Sequence, residues 1–171
     1  MNRFGKVCFI TLVVIVAATT AFAGTKTANI AVTANINPAC TIAATPMAFG
    51  TYDPLGVNST TELDHTSVVT VQCVDELPAV ITLDEGLYKA TGSTPATPLR
   101  QMQCLDYDQE YLAYFLYQDA SHTQAWGANA SAVSITADGS SHDYTVYGVI
   151  PPGQVQEDGG FADTVVATVS Y

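Results

Sequence analysis

From residue 24 onward the chain reads with a period of two, interrupted by Gly, Pro, Asn and Asp, and the helical period of 3.6 is hard to find. Alternating side chains serve a pleated strand with one buried face, so the class is all-β. The alternation predicts strands at Ala28 to Ile36, Cys40 to Ile42 leading on to Met47 to Gly50, Ser67 to Val74, Ala79 to Leu83, Leu112 to Gln118, Tyr144 to Ile150 and Thr164 to Tyr171. Turn chemistry separates them at Asp53-Pro54, Asp84-Glu85-Gly86, Asp138-Gly139, Pro151-Pro152-Gly153 and Asp158-Gly159-Gly160. About seven short strands at this spacing fit a sandwich. Tyr88 to Asp108, with Gly92, Pro95 and Pro98, reads as a long loop or irregular excursion, with room for a short helix within Leu105 to Ala113. The closing strand carries Val on both faces and is expected to be central or covered on both sides.

The first residues place Arg3 and Lys6 before an apolar run from Val7 through Thr20, followed by Ala21-Phe22-Ala23 and Gly24. That order predicts a secretory signal peptide, residues 1–23, cleaved after Ala23. The run is broken by threonines and short for a membrane span of roughly 20 residues. No later segment is apolar and long enough to cross a bilayer, so the mature chain is expected to have no membrane span. The remaining length suits one domain.

The 171-residue chain carries a formal net charge of −11. Without the signal, Lys26, Lys89 and Arg100 stand against all sixteen acidic residues, a net charge of −13. Such a surface repels phosphate backbones and anionic lipid heads, which argues against nucleic-acid and membrane-surface roles.

No enzyme motif stands out. His65, His122 and His142 lie in three separate polar stretches and are expected as solvated loop residues; no GxSxG nucleophile accompanies them. Asp106, Asp108 and Glu110 alternate, but the glycine and terminal glutamate of a calcium loop are missing. No CxxC or Cys/His spacing suggests zinc, so no catalytic residue, metal or cofactor is expected. Cys40, Cys73 and Cys104 remain after export to an oxidising compartment, and their spacing alone leaves three pairings open. Tyr114 and Leu116 alternate with Phe115 and Tyr117, which predicts that one of the two sets is in the core. Asn58-Ser59-Thr60 and Asn129-Ala130-Ser131 match the N-glycosylation pattern by chance in a bacterial setting.

The segment 24–36 is the most informative. Ala28, Ile30, Val32, Ala34 and Ile36 share one face of an extended strand spanning roughly 30 Å at about 3.3 Å per residue. Asn37-Pro38 separates this segment from Cys40 and the strands beyond it. Such a strand is able to pair within its own domain or within a neighbour.

Pro38-Ala39-Cys40-Thr41-Ile42, Phe49-Gly50-Thr51-Tyr52, Val71-Gln72-Cys73, Ile81 to Gly86, Leu116 to Ala120, Trp126-Gly127, Tyr147 to Gln154 and Asp163-Thr164-Val165 occur in this order. Together they resemble the spore coat protein U domain, the pilin module of archaic, Csu-type chaperone-usher pili. The resemblance implies an incomplete immunoglobulin-like β-sandwich, residues 37–171, completed by a donor strand from a neighbouring subunit. It implies that Ile30, Val32, Ala34 and Ile36 of the N-terminal extension enter that neighbour's groove. It selects a Cys40–Cys73 disulfide and leaves Cys104 as an unpaired thiol of uncertain role. The partners it implies are identical or related pilin subunits, a periplasmic chaperone and an outer-membrane usher, and the setting is a surface pilus supporting adhesion or biofilm formation. The alternative is a monomeric secreted β-sandwich acting as a coat or ligand-binding protein.

Overall fold

A computed structural model describes residues 24–171. The expected signal peptide lies outside the described residues. The chain divides into the segment up to Asn35 and a compact domain, Ile36–Tyr171.

The domain is built from ten strands: β1 (Cys40–Ala44), β2 (Leu63–Cys73), β3 (Pro78–Leu83), β4 (Tyr88–Lys89), β5 (Arg100–Cys104), β6 (Tyr111–Tyr117), β7 (Val133–Thr136), β8 (Ser141–Ile150), β9 (Phe161–Ala162) and β10 (Ala167–Ser170). Among the described residues the helical structure is two three-residue 3-10 turns, Val57–Ser59 and Asn129–Ser131. Seven strands form one sheet in the order β1-β2-β8-β6-β5-β4, with β9 added on β5; the second sheet is β10-β3-β7. The named pairings are antiparallel throughout. The all-β expectation holds, and the two sheets enclose a sandwich core.

Alternation decides which residues meet there. Val69, Val71 and Cys73 of β2, Ala79, Ile81 and Leu83 of β3, and Leu112, Tyr114 and Leu116 of β6 are buried, while Phe115 and Tyr117 are only half-buried. Trp126 is 1% exposed and donates its indole N–H to Ile81 O at 3.3 Å, satisfying its polar atom inside the core. Gly148 on β8 leaves space for the segment after β1: a Cβ at this position would collide with Met47 Sδ and sit 2.8 Å from Phe49 Cζ.

Several expectations are corrected. Residues 28–36 form no strand, because an extended segment without a ladder partner has nothing to hold it. The stretch Tyr88 to Asp108 contains β4 and β5, and Leu105 to Ala113 contains no helix. The signal in β5 is masked because the inward positions of Arg100-Gln101-Met102-Gln103-Cys104 begin with a charged residue. Strand β7 has clean alternation in Val133-Ser134-Ile135-Thr136 but is only four residues long. The closing strand is short and lies at an edge, with Val166 and Tyr171 more than half exposed, so it is neither central nor covered on both sides: its second face, Thr164, Val166, Thr168 and Ser170, is mostly polar. His65 and His142 are exposed as expected but stand on β2 and β8, because one face of an antiparallel sheet can carry polar residues into water. Asn58 is buried, accepting from Asp53 N at 2.9 Å and donating to Thr61 O at 3.1 Å, so it is a loop-holding residue.

Arg100 is 2% exposed, and its guanidinium faces backbone carbonyls. Its Nε donates to Asp84 O at 2.8 Å, and Nη2 donates to Leu83 O at 3.2 Å and Trp126 O at 2.9 Å. Burial pulls its pKa down from the ordinary value, and nearby Tyr114, Asp84 and Asp163 oppose the shift. One cation thereby ties the end of β3 to the Trp126 loop across the core. Arg100→Met should destabilise the domain by about 3 kcal/mol, because three carbonyls lose their donor in a site that excludes water. Urea unfolding of the mature chain measures this.

Candidate functional site

The first and last strands both end a sheet: among the described residues β1 pairs only with β2, and β10 only with β3. Between the segments that adjoin them the core opens to solvent in a groove. One part, about 570 Å³, lies between Ala44 to Phe49 on one wall and Phe161 to Ala167 on the other, above Val69, Leu83, Tyr114, Leu116 and Val146. A second part, about 710 Å³, lies between Met47 to Tyr52 and Gln154 to Phe161, above Leu112 and Ile150. Met47, Phe49, Met102 and Phe161 line both. These four are only half-buried although they pack on the core, so apolar surface is left in water along the groove.

Polar contacts hold the walls in place. Asp163 accepts from Tyr114 OH at 2.6 Å with one oxygen and from Leu87 N at 2.9 Å and Tyr88 N at 3.2 Å with the other. Asp84 Oδ1 accepts from Val166 N at 2.9 Å, and Asp84 N donates to Val166 O at 3.0 Å. Gly86 has φ of 78°, and a Cβ there would collide with Asp163 Oδ2. The Asp-Glu-Gly turn therefore needs its glycine twice, for left-handed backbone and for the approach of the carboxylate. These bonds pull residues 163–166 toward the end of β3 and leave the opposite edge free.

At the far end the walls converge. Tyr52 OH donates to Pro151 O at 2.8 Å and accepts from Gln154 N at 3.1 Å. The Gln154 side chain accepts from Ala113 N at 2.8 Å and donates to Ala113 O at 3.0 Å, standing in for a strand beside β6.

At the other end, Cys40 and Cys73 face each other in register on β1 and β2, with Cα atoms 4.0 Å apart, and are joined by a disulfide. This is the pairing that the resemblance selects. Cys104 is unpaired among the described residues and buried at the end of β5. A Cβ on Gly159 would lie 2.9 Å from its sulfur, so the loop behind the groove wall packs directly on the thiol. Ile30, Val32 and Ile36, named from sequence as groove-entering residues, are 87%, 88% and 86% exposed. Outside the groove, ligand atoms of Glu62, Asp64 and His122 lie within 4.8 Å of one another; His122 Nδ1 is 3.5 Å from Glu62 Oε1, the geometry of a surface ion pair. Asp106, part of the alternating acidic stretch, accepts from Gly160 N at 3.3 Å.

Sequence reasoning assigns no role to the wall residues Met47, Phe49, Tyr52, Gln154, Phe161 and Asp163. Their signal is present, since Phe49, Tyr52, Gln154 and Asp163 sit in the motifs that carry the resemblance, but a motif carries no role until its two walls are seen to face each other.

The profile of the Spore Coat Protein U domain matches residues 26–168. The chain belongs to this family. It is 43% identical over 164 residues to "Protein U" of Myxococcus xanthus, covering 92% of this chain and 91% of that protein. The fold is similar to a chain in the crystal structure of the CsuC-CsuE chaperone-tip adhesion subunit pre-assembly complex from archaic chaperone-usher Csu pili of Acinetobacter baumannii. The TM-score is 0.58 at 18% identity, over 80% of this chain and 40% of that one. At that identity the likeness concerns the fold, an immunoglobulin-like β-sandwich, and this chain spans less than half of the matched one.

Burial, the largest cause, and the hydrogen bond to Asp163 push the Tyr114 phenol well above the usual tyrosine range. A raised native pKa holds its stabilisation fully below about pH 10, the unfolded value, and loses it as pH rises through the native pKa. Domain stability should therefore fall above about pH 10, and Tyr114→Phe should flatten that fall. Urea midpoints measured from pH 7 upward give the comparison.

Proposed function

We propose that this chain is a structural subunit of an archaic chaperone-usher pilus that polymerises by donor-strand exchange. The observation that carries the reading is the groove: two unpaired edge strands flank an apolar floor, and the same chain carries an alternately apolar segment with its large side chains in solvent. Strand addition satisfies both, as main-chain hydrogen bonds complete an edge and alternate side chains fill the groove. Ile30, Val32, Ala34 and Ile36 are the entering residues, and residues 24–36 act as the donor extension of the domain 37–171. Burying each of the three larger side chains is worth about 1.5 to 3 kcal/mol, which makes the joint hard to reverse.

The family match and the fold shared with a chain from a chaperone–subunit complex support the same reading. A periplasmic chaperone covers the groove before assembly, an outer-membrane usher directs the exchange, and the fibre stands on the cell surface, where it serves adhesion or biofilm formation. The role is structural and not enzymatic.

Size analysis of the mature protein, Gly24 to Tyr171, beside a version lacking residues 24–36 tests the assignment. Heat-resistant oligomers are expected from the first and monomers from the second. Stable monomers from both would favour the coat or ligand-binding alternative. Changing Ile30 and Val32 together to Asp should abolish the oligomers while leaving the domain folded, since the charges would be buried in a neighbour without partners. Fibres of normal length from that variant would remove the donor role from these residues.

A further inference from the structure

Away from the groove, on the solvent face of the large sheet, an imidazole and two carboxylates converge. Leu63 packs on the core, so its neighbours Glu62 and Asp64 point the other way, side by side at the start of β2. His122 reaches them from the turn that follows β6. That turn is wrapped around Asp119, whose carboxylate accepts from Ser121 Oγ at 2.5 Å, Thr123 Oγ1 at 2.8 Å and Gln124 N at 2.7 Å. His122 has φ of 54°, and its ring lies against Tyr117 with centroids 5.2 Å apart. With 22% of its side-chain surface exposed, the imidazole is held in place by the fold itself. Strand β8 runs beneath, with Val149 between Asp64 and Phe115 and Tyr147 between Thr66 and Tyr117, so the floor is largely apolar.

A simple ion pair does not account for this arrangement. The separation of 3.5 Å between His122 Nδ1 and Glu62 Oε1 is longer than an ordinary N–H···O bond, and among the described residues the His122 ring makes no hydrogen bond. His142 gives the contrast, bonding the single carboxylate of Asp138 at 2.8 Å. Beside His122 there are two carboxylates, and neither is bridged by Lys or Arg among the described residues: Lys89 pairs with Glu85, and Arg100 is buried in the core. Two atoms bound to one tetrahedral ion at about 2.0 to 2.2 Å lie roughly 3.3 to 3.6 Å apart. The His122 and Glu62 atoms already stand at that separation, and the ligand atoms of all three residues lie within 4.8 Å of one another. Exposed carboxylates close the remaining gap by rotating about their own side-chain bonds. An imidazole among the donors suits zinc and its first-row neighbours, whereas calcium and magnesium take oxygen ligands.

We propose that Glu62, Asp64 and His122 form a surface site for a divalent transition cation of the zinc type, with three protein ligands and a further position open to water. An ion there would tie the turn after β6 to the start of β2 across β8, and by binding the folded chain it would stabilise the domain. The inference does not depend on the donor-strand reading.

Calorimetric titration of zinc chloride into the untagged mature chain tests the site. One zinc per chain is expected. His122→Ala, Glu62→Gln and Asp64→Asn are each expected to weaken binding by at least about tenfold, the least that losing even an outer-shell partner of a metal ligand costs. His142→Ala is expected to leave binding unchanged, and excess calcium chloride not to displace the zinc. Saturating zinc should raise the urea midpoint of the mature chain and leave that of His122→Ala where it was. No stoichiometric binding, or binding that the three substitutions leave unchanged, would overturn the site. Equal loss in His142→Ala would also overturn it, by showing that zinc is held adventitiously by surface histidines. Should His122→Ala not fold, the amide substitutions at the exposed positions Glu62 and Asp64 still decide.

Discussion

Two strand edges beside an apolar floor that is open to water are the feature around which this structure is organised. An edge strand offers a row of unpaired N–H and C=O groups, which soluble β-proteins usually blunt with charge, proline or a bulge. Strand β10 has none of these, since Ala167-Thr168-Val169-Ser170 is short, uncharged and regular. On the proposed function, the groove beside it is an interior position of a sheet whose occupant comes from another chain.

Keeping such a groove open requires fixed walls. They are held by polar groups rather than by more apolar packing. Arg100 gathers two carbonyls at the end of β3 and one from the Trp126 loop, Asp84 and Asp163 anchor the approach to β10, and Tyr52 with Gln154 closes the other end. Hydrogen bonds suit this task because they are directional, and a partner left alone in a buried site is costly. An apolar wall in their place would be free to collapse onto the floor and hide the groove. The disulfide from β1 to β2 adds a covalent tie where the first strand has a ladder on one side only.

The acidic surface fits the same picture. The acidic residues all lie in the domain, and none occurs in residues 24–36, where Lys26 is the only charged side chain. On the proposed function, an extension free of carboxylates would enter an apolar groove without having to strip water from an anion.

Much of the fold is legible in the sequence because strand alternation is a local property. Strands β2, β3, β6 and β8 are readable from residues whose inward faces are plainly apolar, and the same count says that one of the sets Tyr114/Leu116 and Phe115/Tyr117 is in the core, while the structure decides for Tyr114 and Leu116. Strand β5 is not legible, because Arg100 and the glutamines look polar until the carbonyls that satisfy Arg100 are known, and those come from β3 and the Trp126 loop. The groove is legible only in outline. Alternation in residues 28–36 marks a segment fit to be a strand, but it cannot say that this segment is without a ladder in the single chain. The sequence by itself determined the all-β class, the alternating extension and the proline that ends it. The tertiary structure decided that β1 and β10 are edges, that Tyr52 meets Gln154, and that Asp163 meets Tyr114, because each of these joins residues far apart in the chain that no local period connects.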